Sequence, residues 1–209
     1  MLFWRSFTHW IGGMGVLVFV LVLTKLDKKN TMYLIRAEVP GPEKDKLVPK
    51  TMSTARILYG MYFGLTAIEV ILLLLGGMNL YDSLIFSFGT AGTGGFANYS
   101  SSVGHFDSAY IDGVITVFMI LFGINFNLYF FLLLRDFKPV WKNEELKTYL
   151  LMILSAACLI TINISHLYGN PLHAFRYAIF QVASIITTTG YATADHTLWP
   201  MFSQCVLLF

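Results

Sequence analysis

The chain has 209 residues, of which 56% are hydrophobic and only 12% are charged, and its mean hydropathy is +0.65. A soluble domain carries about twice that charged fraction, so the composition excludes an ordinary water-soluble globular protein. The net charge is only +2, and acidic residues are interspersed among the basic ones, which argues against a nucleic-acid-binding surface. At this length we expect one membrane domain built from a few helices.

The positive charges lie mostly in two stretches of the chain. Of the 14 lysines and arginines, most fall within residues 25–56 and 135–147, while Arg5 and Arg176 stand alone. Because Lys and Arg concentrate in the cytoplasmic loops of membrane proteins, both stretches are predicted to be cytoplasmic.

The apolar segments differ in whether they are long enough to cross a membrane. In the first segment the positive charges follow the apolar stretch, whereas a signal peptide carries them before it, so a signal peptide is excluded. The same charges predict that this span runs from the outside to the cytoplasm. The predicted spans, the last of them only begun, are residues 3–23, 56–78, 110–134, 147–167 and 199–209. Two further apolar segments, residues 80–88 and 172–186, are half-helix candidates. The first makes only about 13 Å of helix, against a hydrocarbon core of about 30 Å.

A loop rich in threonine and glycine follows each half-helix candidate. The loops contain residues 89–96 (GTAGTGGF) and residues 185–192 (IITTTGYA). Aligning them pairs Thr93 with Thr189 and Gly94 with Gly190, and the same alignment matches Tyr81 with Tyr177. The chain therefore repeats a unit of membrane helix, half-helix, loop and membrane helix, and such repeats are typical of transporters and channels.

The chemistry of these loops suits a dehydrated cation. Irregular backbone at membrane depth is tolerated only where protein covers it or where it lines a watery cavity. A row of main-chain carbonyls can replace the hydration shell of an ion, threonine adds a hydroxyl, and glycine adopts positive φ at little cost. An ordinary turn between hydrophobic helices is the alternative. The predicted cation ligands are Ala91, Gly92, Thr93, Gly94, Thr187, Thr188, Thr189 and Gly190.

Three segments resemble a known family. Residues 3–15 (FWRSFTHWIGGMG), 91–96 (AGTGGF) and 184–195 (SIITTTGYATAD) are similar to the Trk/Ktr/HKT potassium transporters, and most of all to the bacterial Trk membrane subunit. In that family four helix–pore-loop–helix repeats surround one pathway. The resemblance implies an all-α membrane protein with about two of the four repeats present, so we expect an internal fragment.

The resemblance also divides the chain and places Gly94 and Gly190 at the filter-glycine positions. It implies the last helix of repeat one, a cytoplasmic connector, a complete repeat two, a cytoplasmic loop, and a third repeat truncated in its last helix. In that order, the corresponding ranges are residues 1–24, 25–55, 56–134, 135–147 and 148–209.

The function that the resemblance implies is potassium uptake across the inner membrane by channel-like conduction. It implies K⁺ as the transported ion, no enzymatic activity, no organic cofactor, a homodimer in the lipid membrane and no nucleic-acid partner. The resemblance also implies a cytosolic nucleotide-binding regulatory subunit of the TrkA type. Residues 25–55 and 135–147 either dock this subunit or carry charges that only keep these loops in the cytoplasm. The chain has no phosphate-binding loop motif, which leaves an ATP-driven pump unsupported. The alternative is a non-conducting, truncated membrane scaffold or assembly fragment of such a transporter.

A few polar residues allow two interpretations each. Glu69 lies in the middle of a span, where an acid costs a few kcal/mol unless it faces protein. It either braces the pore helix by hydrogen bonds or packs as a protonated side chain. Asp107, Asp112 and Asp195 lie near the outer ends, where they either attract cations or are ordinary solvated acids. The two cysteines and five histidines have no ligand-like spacing, so no resident metal site is predicted.

Overall fold

The computed structural model describes residues 1–13, 15, 52–133, 135 and 137–208. Over these residues the protein is helical and contains no strand, which confirms the all-α class. Residues 25–51 of the predicted connector at residues 25–55 lie outside the described residues. The helices are α1 (Leu2–Gly13), α2 (Met52–Leu75), α3 (Leu80–Ala91), α4 (Ala109–Phe122), α5 (Phe126–Leu133), α6 (Phe137–Lys142), α7 (Glu144–Tyr168), α8 (Pro171–Ile186) and α9 (Met201–Leu208).

Two of the described helices are long and apolar enough to cross a membrane. They are the segment Ile57–Leu75 of α2 and the whole of α7, Glu144–Tyr168. Each leaves large apolar side chains exposed, among them Ile68 and Leu75 on α2 and Ile162 on α7. Such surfaces suit contact with lipid.

Asparagine side chains fix the start of three helices. The side-chain oxygen of Asn79 accepts a hydrogen bond from the third residue of α3 at 2.8 Å, and Asn143 caps α7 in the same way at 2.7 Å. Asn170 caps α8, whose first residue is Pro171. Asparagine at the cap and proline at the first position are both favourable, because the first N–H groups of a helix lack intrahelical partners.

The two half-helix candidates are short helices. α3 has 12 residues and α8 has 16, which correspond to about 18 Å and 24 Å and do not reach across the hydrocarbon core. α3 continues three residues beyond the predicted end at Phe88, so Ala91 belongs to its last turn.

The predicted span at residues 110–134 is interrupted. α4 ends at Phe122 and α5 begins at Phe126, with Gly123 as the C-cap of α4. The main-chain oxygen of Leu121 accepts hydrogen bonds from the Ile124 N–H at 3.2 Å and from the Tyr129 hydroxyl at 2.7 Å. The predicted loop at residues 135–147 also contains α6 and the first turn of α7.

The core lies where the two repeated units meet. Phe86 of α3, Phe180 of α8 and Tyr191 are all fully buried in one cluster. A second cluster joins α7, α8 and α9, with Ile160 and Trp199 among its members. The loops that follow α3 and α8 are therefore held against buried apolar surface.

Candidate cation-selectivity filter

The first loop begins where α3 ends. Gly92 is the C-cap of α3 and has φ −85° and ψ −3°. Thr93 then has φ +56° and Gly95 has φ +60°, while Gly94 between them stays outside the positive-φ region. The backbone therefore alternates in handedness over three successive residues.

The second loop repeats this backbone path after α8. Thr187 is the C-cap, with φ −86° and ψ 0°. Thr188 has φ +58° and Gly190 has φ +86°, while Thr189 between them again stays outside the positive-φ region. Two different sequences thus adopt the same alternation at the ends of two short helices.

The hydrogen bonds fix the register between the loops, and it differs from the predicted one. Equivalent N–H groups reach back to equivalent carbonyls, from Thr93 to Thr90, Gly94 to Gly89, Thr188 to Ile185 and Thr189 to Ser184. This pattern and the positive φ values pair Thr93 with Thr188 and Gly95 with Gly190. The predicted pairing of Gly94 with Gly190 is wrong by one residue, and the match of Tyr81 with Tyr177 fails with it. Gly95 therefore occupies the position that was assigned to Gly94.

The main-chain oxygens of both loops are available for a ligand. Among the hydrogen bonds between described residues, none ends on the main-chain oxygens of residues 92–95 or 187–190. Side-chain bonds also avoid these oxygens: the Thr187 hydroxyl donates to Ala183 O at 2.6 Å and pairs with the Thr189 hydroxyl at 2.8 Å. Alternating handedness turns successive carbonyls towards the same side, because uniform extended backbone would point them to opposite sides.

Thr93 and Thr188 are strained. A β-branched residue at positive φ is a backbone outlier, with a cost of order 1–3 kcal/mol. Strain of this kind persists only where the surroundings impose it, and it concentrates at functional sites. Its occurrence at two equivalent positions makes a chance distortion a poor explanation.

The two loops contact each other. A side chain at Gly95 would overlap the main-chain oxygen of Thr189 and would crowd Gly190. Further out, the Gly104 N–H donates to Ala192 O at 3.2 Å. The structure therefore places two predicted residues of the second loop, Thr189 and Gly190, against Gly95 of the first loop.

Tyr191 locks the second loop to the first unit. Its side chain is fully buried, and its hydroxyl donates to Phe86 O of α3 at 3.0 Å. A side chain at Gly89 would overlap this hydroxyl. The equivalent residue in the second unit is Ser184, whose hydroxyl donates to Tyr191 O at 2.6 Å. Gly89 and Ser184 thus differ because only Gly89 must make room for the tyrosine.

Phe96 occupies the position equivalent to Tyr191 and contacts α1. The Arg5 guanidinium lies 4.1 Å from the centroid of the Phe96 ring, and the His9 ring meets it edge-on at 5.4 Å. Each aromatic residue that follows a loop glycine therefore packs on the helical unit that precedes it in the chain.

Glu69 lies in α2, fully buried near the end of α3. Neither of its carboxyl oxygens has a hydrogen-bond partner. A candidate donor close to them is the Thr90 hydroxyl of α3. That hydroxyl donates instead to Phe86 O at 2.8 Å. The direct hydrogen-bonded brace is therefore not formed.

The outer acids are not all free to attract cations. Asp112 forms an ion pair with Arg176 at 3.2 Å, and its side chain is 3% exposed. Asp107 lies 3.7 Å from the same guanidinium but is 88% exposed. Hydrogen bonds from the Thr197 side chain and N–H lower the pKa of the exposed Asp195. In the described ranges, no group of three or more His, Cys, Asp or Glu residues could hold a resident metal.

Sequence reasoning missed Gly95, Tyr191 and the glycine at position 89 as parts of the site. The sequence did contain a signal for the register, because Gly95 and Gly190 are each followed directly by an aromatic residue. No pattern in the sequence shows that Tyr191 reaches across to α3.

The sequence model of the TrkH family, described as a cation transport protein, matches residues 1–209. The chain is similar to the Trk system potassium uptake protein TrkH of Vibrio parahaemolyticus, with 36% identity over 214 residues that cover 100% of this chain and 44% of the relative. It is 35% identical to TrkH of Escherichia coli K12, over 99% of this chain and 44% of that protein. The chain thus spans less than half the length of these relatives.

The fold is similar to a solved structure as well. The crystal structure of the potassium transporter TrkH from Vibrio parahaemolyticus superposes with a TM-score of 0.81 at 30% sequence identity, covering 100% of this chain and 42% of that one. The agreement in fold fits the long apolar helices of a multi-pass membrane protein. Sequence and structure together place the chain in the TrkH family of cation transport proteins.

Proposed function

We propose that this chain supplies two of the filter loops of a pore that carries K⁺ into the cell across the inner membrane. One observation carries the proposal. The two loops share the same alternating backbone, and their main-chain oxygens accept no hydrogen bond from the described residues. The names of the relatives, potassium uptake proteins of Trk systems, support the choice of ion.

Conduction in this proposal needs no covalent chemistry and no organic cofactor. The oxygens of residues 92–95 and 187–190 replace the water around K⁺, and Ala91 lies at the base of the first loop. The carboxyl ends of α3 and α8 face these loops and each add about half a negative charge near the ion. The membrane potential supplies about 2.3 kcal/mol per charge for each 100 mV. The chain thus acts as a transporter component and not as an enzyme.

The proposed setting follows from the charge pattern and from the family. Residues 25–55 and 135–147 face the cytoplasm, where they form the docking surface for a nucleotide-binding regulatory subunit. The complete protein is a homodimer in the lipid bilayer. The relatives belong by name to Trk systems, which supports the existence of further subunits.

The test is a chimera in which this chain replaces the matching segment of the Vibrio parahaemolyticus relative. We refer to it as the complete-pore chimera. Expressed in cells that lack their own potassium uptake, it should restore growth at low K⁺ and K⁺ uptake. A chimera that reaches the membrane but does not transport would contradict the proposal and support the non-conducting scaffold.

The loop glycines allow a sharper prediction. Gly190 has φ +86°, and nothing fills the space where its side chain would lie. Gly190→Ser should lower the preference of the chimera for K⁺ over Na⁺ by about tenfold, the ratio that corresponds to about 1.4 kcal/mol, because it shifts the carbonyls of the second loop. Uptake of both ions measures the effect.

Gly169→Ser is the matched control for this variant. Gly169 caps α7 with φ +64°, its side-chain space is also open, and it lies outside both loops. The control should therefore carry similar backbone strain without a change in ion preference. Equal effects of the two variants would argue against a filter role for Gly190.

A further inference from the structure

Next to the end of each short helix lies a glycine at the end of a helix from the preceding unit. α1 ends at Gly13, and a side chain there would crowd Ala91 and Gly92 at the end of α3. α4 is capped by Gly123, and a side chain there would crowd Thr187 at the end of α8. Gly92 and Thr187 are the equivalent C-caps, so the two glycines occupy equivalent places.

A tyrosine from the long helix of the following unit bonds to each of these helix ends. The Tyr62 hydroxyl of α2 donates to Trp10 O at 2.9 Å. The Tyr149 hydroxyl of α7 donates to Ile120 O at 3.3 Å. In both cases the accepting carbonyl lies three residues before the glycine.

The tyrosine hydroxyls also occupy the space beside the glycines. A side chain at Gly13 would lie 2.7 Å from the Tyr62 hydroxyl, and one at Gly123 would overlap the Tyr149 hydroxyl. The same three parts therefore meet twice: the glycine at the end of one helix, the base of the next loop, and a tyrosine hydroxyl. We call each meeting a glycine–tyrosine joint.

The physical role of the joint follows from the chemistry of helix ends. The last carbonyls of a helix lack intrahelical partners, and inside a membrane protein they need another donor. In each joint the tyrosine donates to a carbonyl near the helix end, and its own place is restricted because Tyr62 is buried and Tyr149 is half-buried. The bond ties each helix end to the long helix of the following unit, beside the base of the loop.

We propose that Tyr62 and Tyr149 are positioning residues that set the ion preference of the two loops by holding these helix ends beneath them. The proposal rests on the proposed function of the loops as a filter. Neither tyrosine contacts the ion. Each acts through the glycine-bearing helix end that packs against Gly92 or Thr187.

The experiment measures K⁺ and Na⁺ uptake by the complete-pore chimera and its Tyr149→Phe variant. Loss of one hydrogen bond should lower the ratio of K⁺ to Na⁺ uptake by about fivefold, while the amount of protein in the membrane stays the same. Tyr62→Phe should give the same result at the other joint. If Tyr149→Phe does not accumulate in the membrane, Tyr62→Phe alone still tests the proposal.

Tyr168→Phe is the matched control. The Tyr168 hydroxyl accepts a hydrogen bond from Trp199 at 3.0 Å, away from both loops. This variant loses one tyrosine hydrogen bond without touching a joint, so its ion preference should equal that of the parent. An equal change in all three variants would show a general packing effect and would overturn the proposal.

A double variant tests the geometry of the joint itself. Gly123→Ala places a methyl group where the Tyr149 hydroxyl lies, so it should lower K⁺ uptake. Adding Tyr149→Phe removes that hydroxyl and should restore part of the uptake but not the ion preference.

If both tyrosine variants keep the parental ion preference, this proposal fails and the filter assignment stands. If the parent chimera does not transport K⁺, the filter assignment itself fails.

Discussion

Glu69 is the residue for which the structure separates two interpretations. Its carboxyl group is fully buried, and neither oxygen has a hydrogen-bond partner. Burying an unpaired polar group costs about 1–3 kcal/mol. The structure therefore favours a packing role for this side chain over the predicted brace.

Glu69→Leu should consequently raise the free energy of unfolding of the complete-pore chimera by about 1 kcal/mol, because it removes unpaired polar atoms at similar volume. Thermal unfolding in detergent measures the change. Glu69→Ala is the control and should lower stability by leaving a cavity. A Leu variant that is less stable and less selective for K⁺ would restore the bracing interpretation.

At the scale of single residues, the sequence predicted where the two loops lie but not the register between them. Threonine and glycine at the ends of two short apolar segments were sufficient to find the loops. The prediction aligned the two Thr–Gly pairs, residues 93–94 and 189–190, whereas the structure aligns the two glycine–aromatic pairs, residues 95–96 and 190–191. The contact of Tyr191 with Phe86 joins residues far apart in the chain, so local patterns cannot reveal it.

At the scale of helices, α4 and α8 are joined by an ion pair across the two units. Arg176 of α8 contacts Asp112 of α4 at 3.2 Å, and both side chains are largely removed from water. Breaking a buried pair by removing one partner leaves the other charge uncompensated, which costs about 3–5 kcal/mol. The isolated arginine in the sequence thus has a structural partner.

Asp112→Asn and Arg176→Gln should therefore each lower the stability of the complete-pore chimera by about 3 kcal/mol, measured by thermal unfolding. The double variant should lose less than the sum of the two, because neither charge is then left alone. Asp107→Asn is the control: its side chain is 88% exposed, and it should change stability by less than about 0.5 kcal/mol. Additive losses would show that the two groups do not interact.

Helix lengths were largely predictable, and the interruption between α4 and α5 was not. The short helices follow from short apolar segments bounded by asparagine caps and Thr/Gly loops. Residues 110–134 are mostly apolar and contain no proline, and isolated glycines such as Gly113 and Gly123 are compatible with a continuous helix. At the end of α4, the hydroxyls of Tyr129 and Tyr149 donate hydrogen bonds to the main-chain oxygens of Leu121 and Ile120. These contacts cannot be read from the local sequence.

At the scale of the whole molecule, Tyr191 links the two units through the core. It is fully buried and contacts Phe86 at a ring-centroid distance of 5.4 Å. Tyr191→Ala should lower the stability of the complete-pore chimera by about 3–5 kcal/mol, because it leaves a large cavity between the units. Tyr81→Ala is the control, since Tyr81 is 51% exposed. Similar losses for both would contradict a special role for Tyr191.

The placement of the two aromatic residues has a consequence for biosynthesis. Phe96 rests on α1 and Tyr191 rests on α3, so each aromatic ring docks on a helix that leaves the ribosome earlier. The docking surface for each new loop is already made when that loop enters the membrane. Assembly can therefore proceed from the amino terminus, because each unit provides the surface on which the next loop docks.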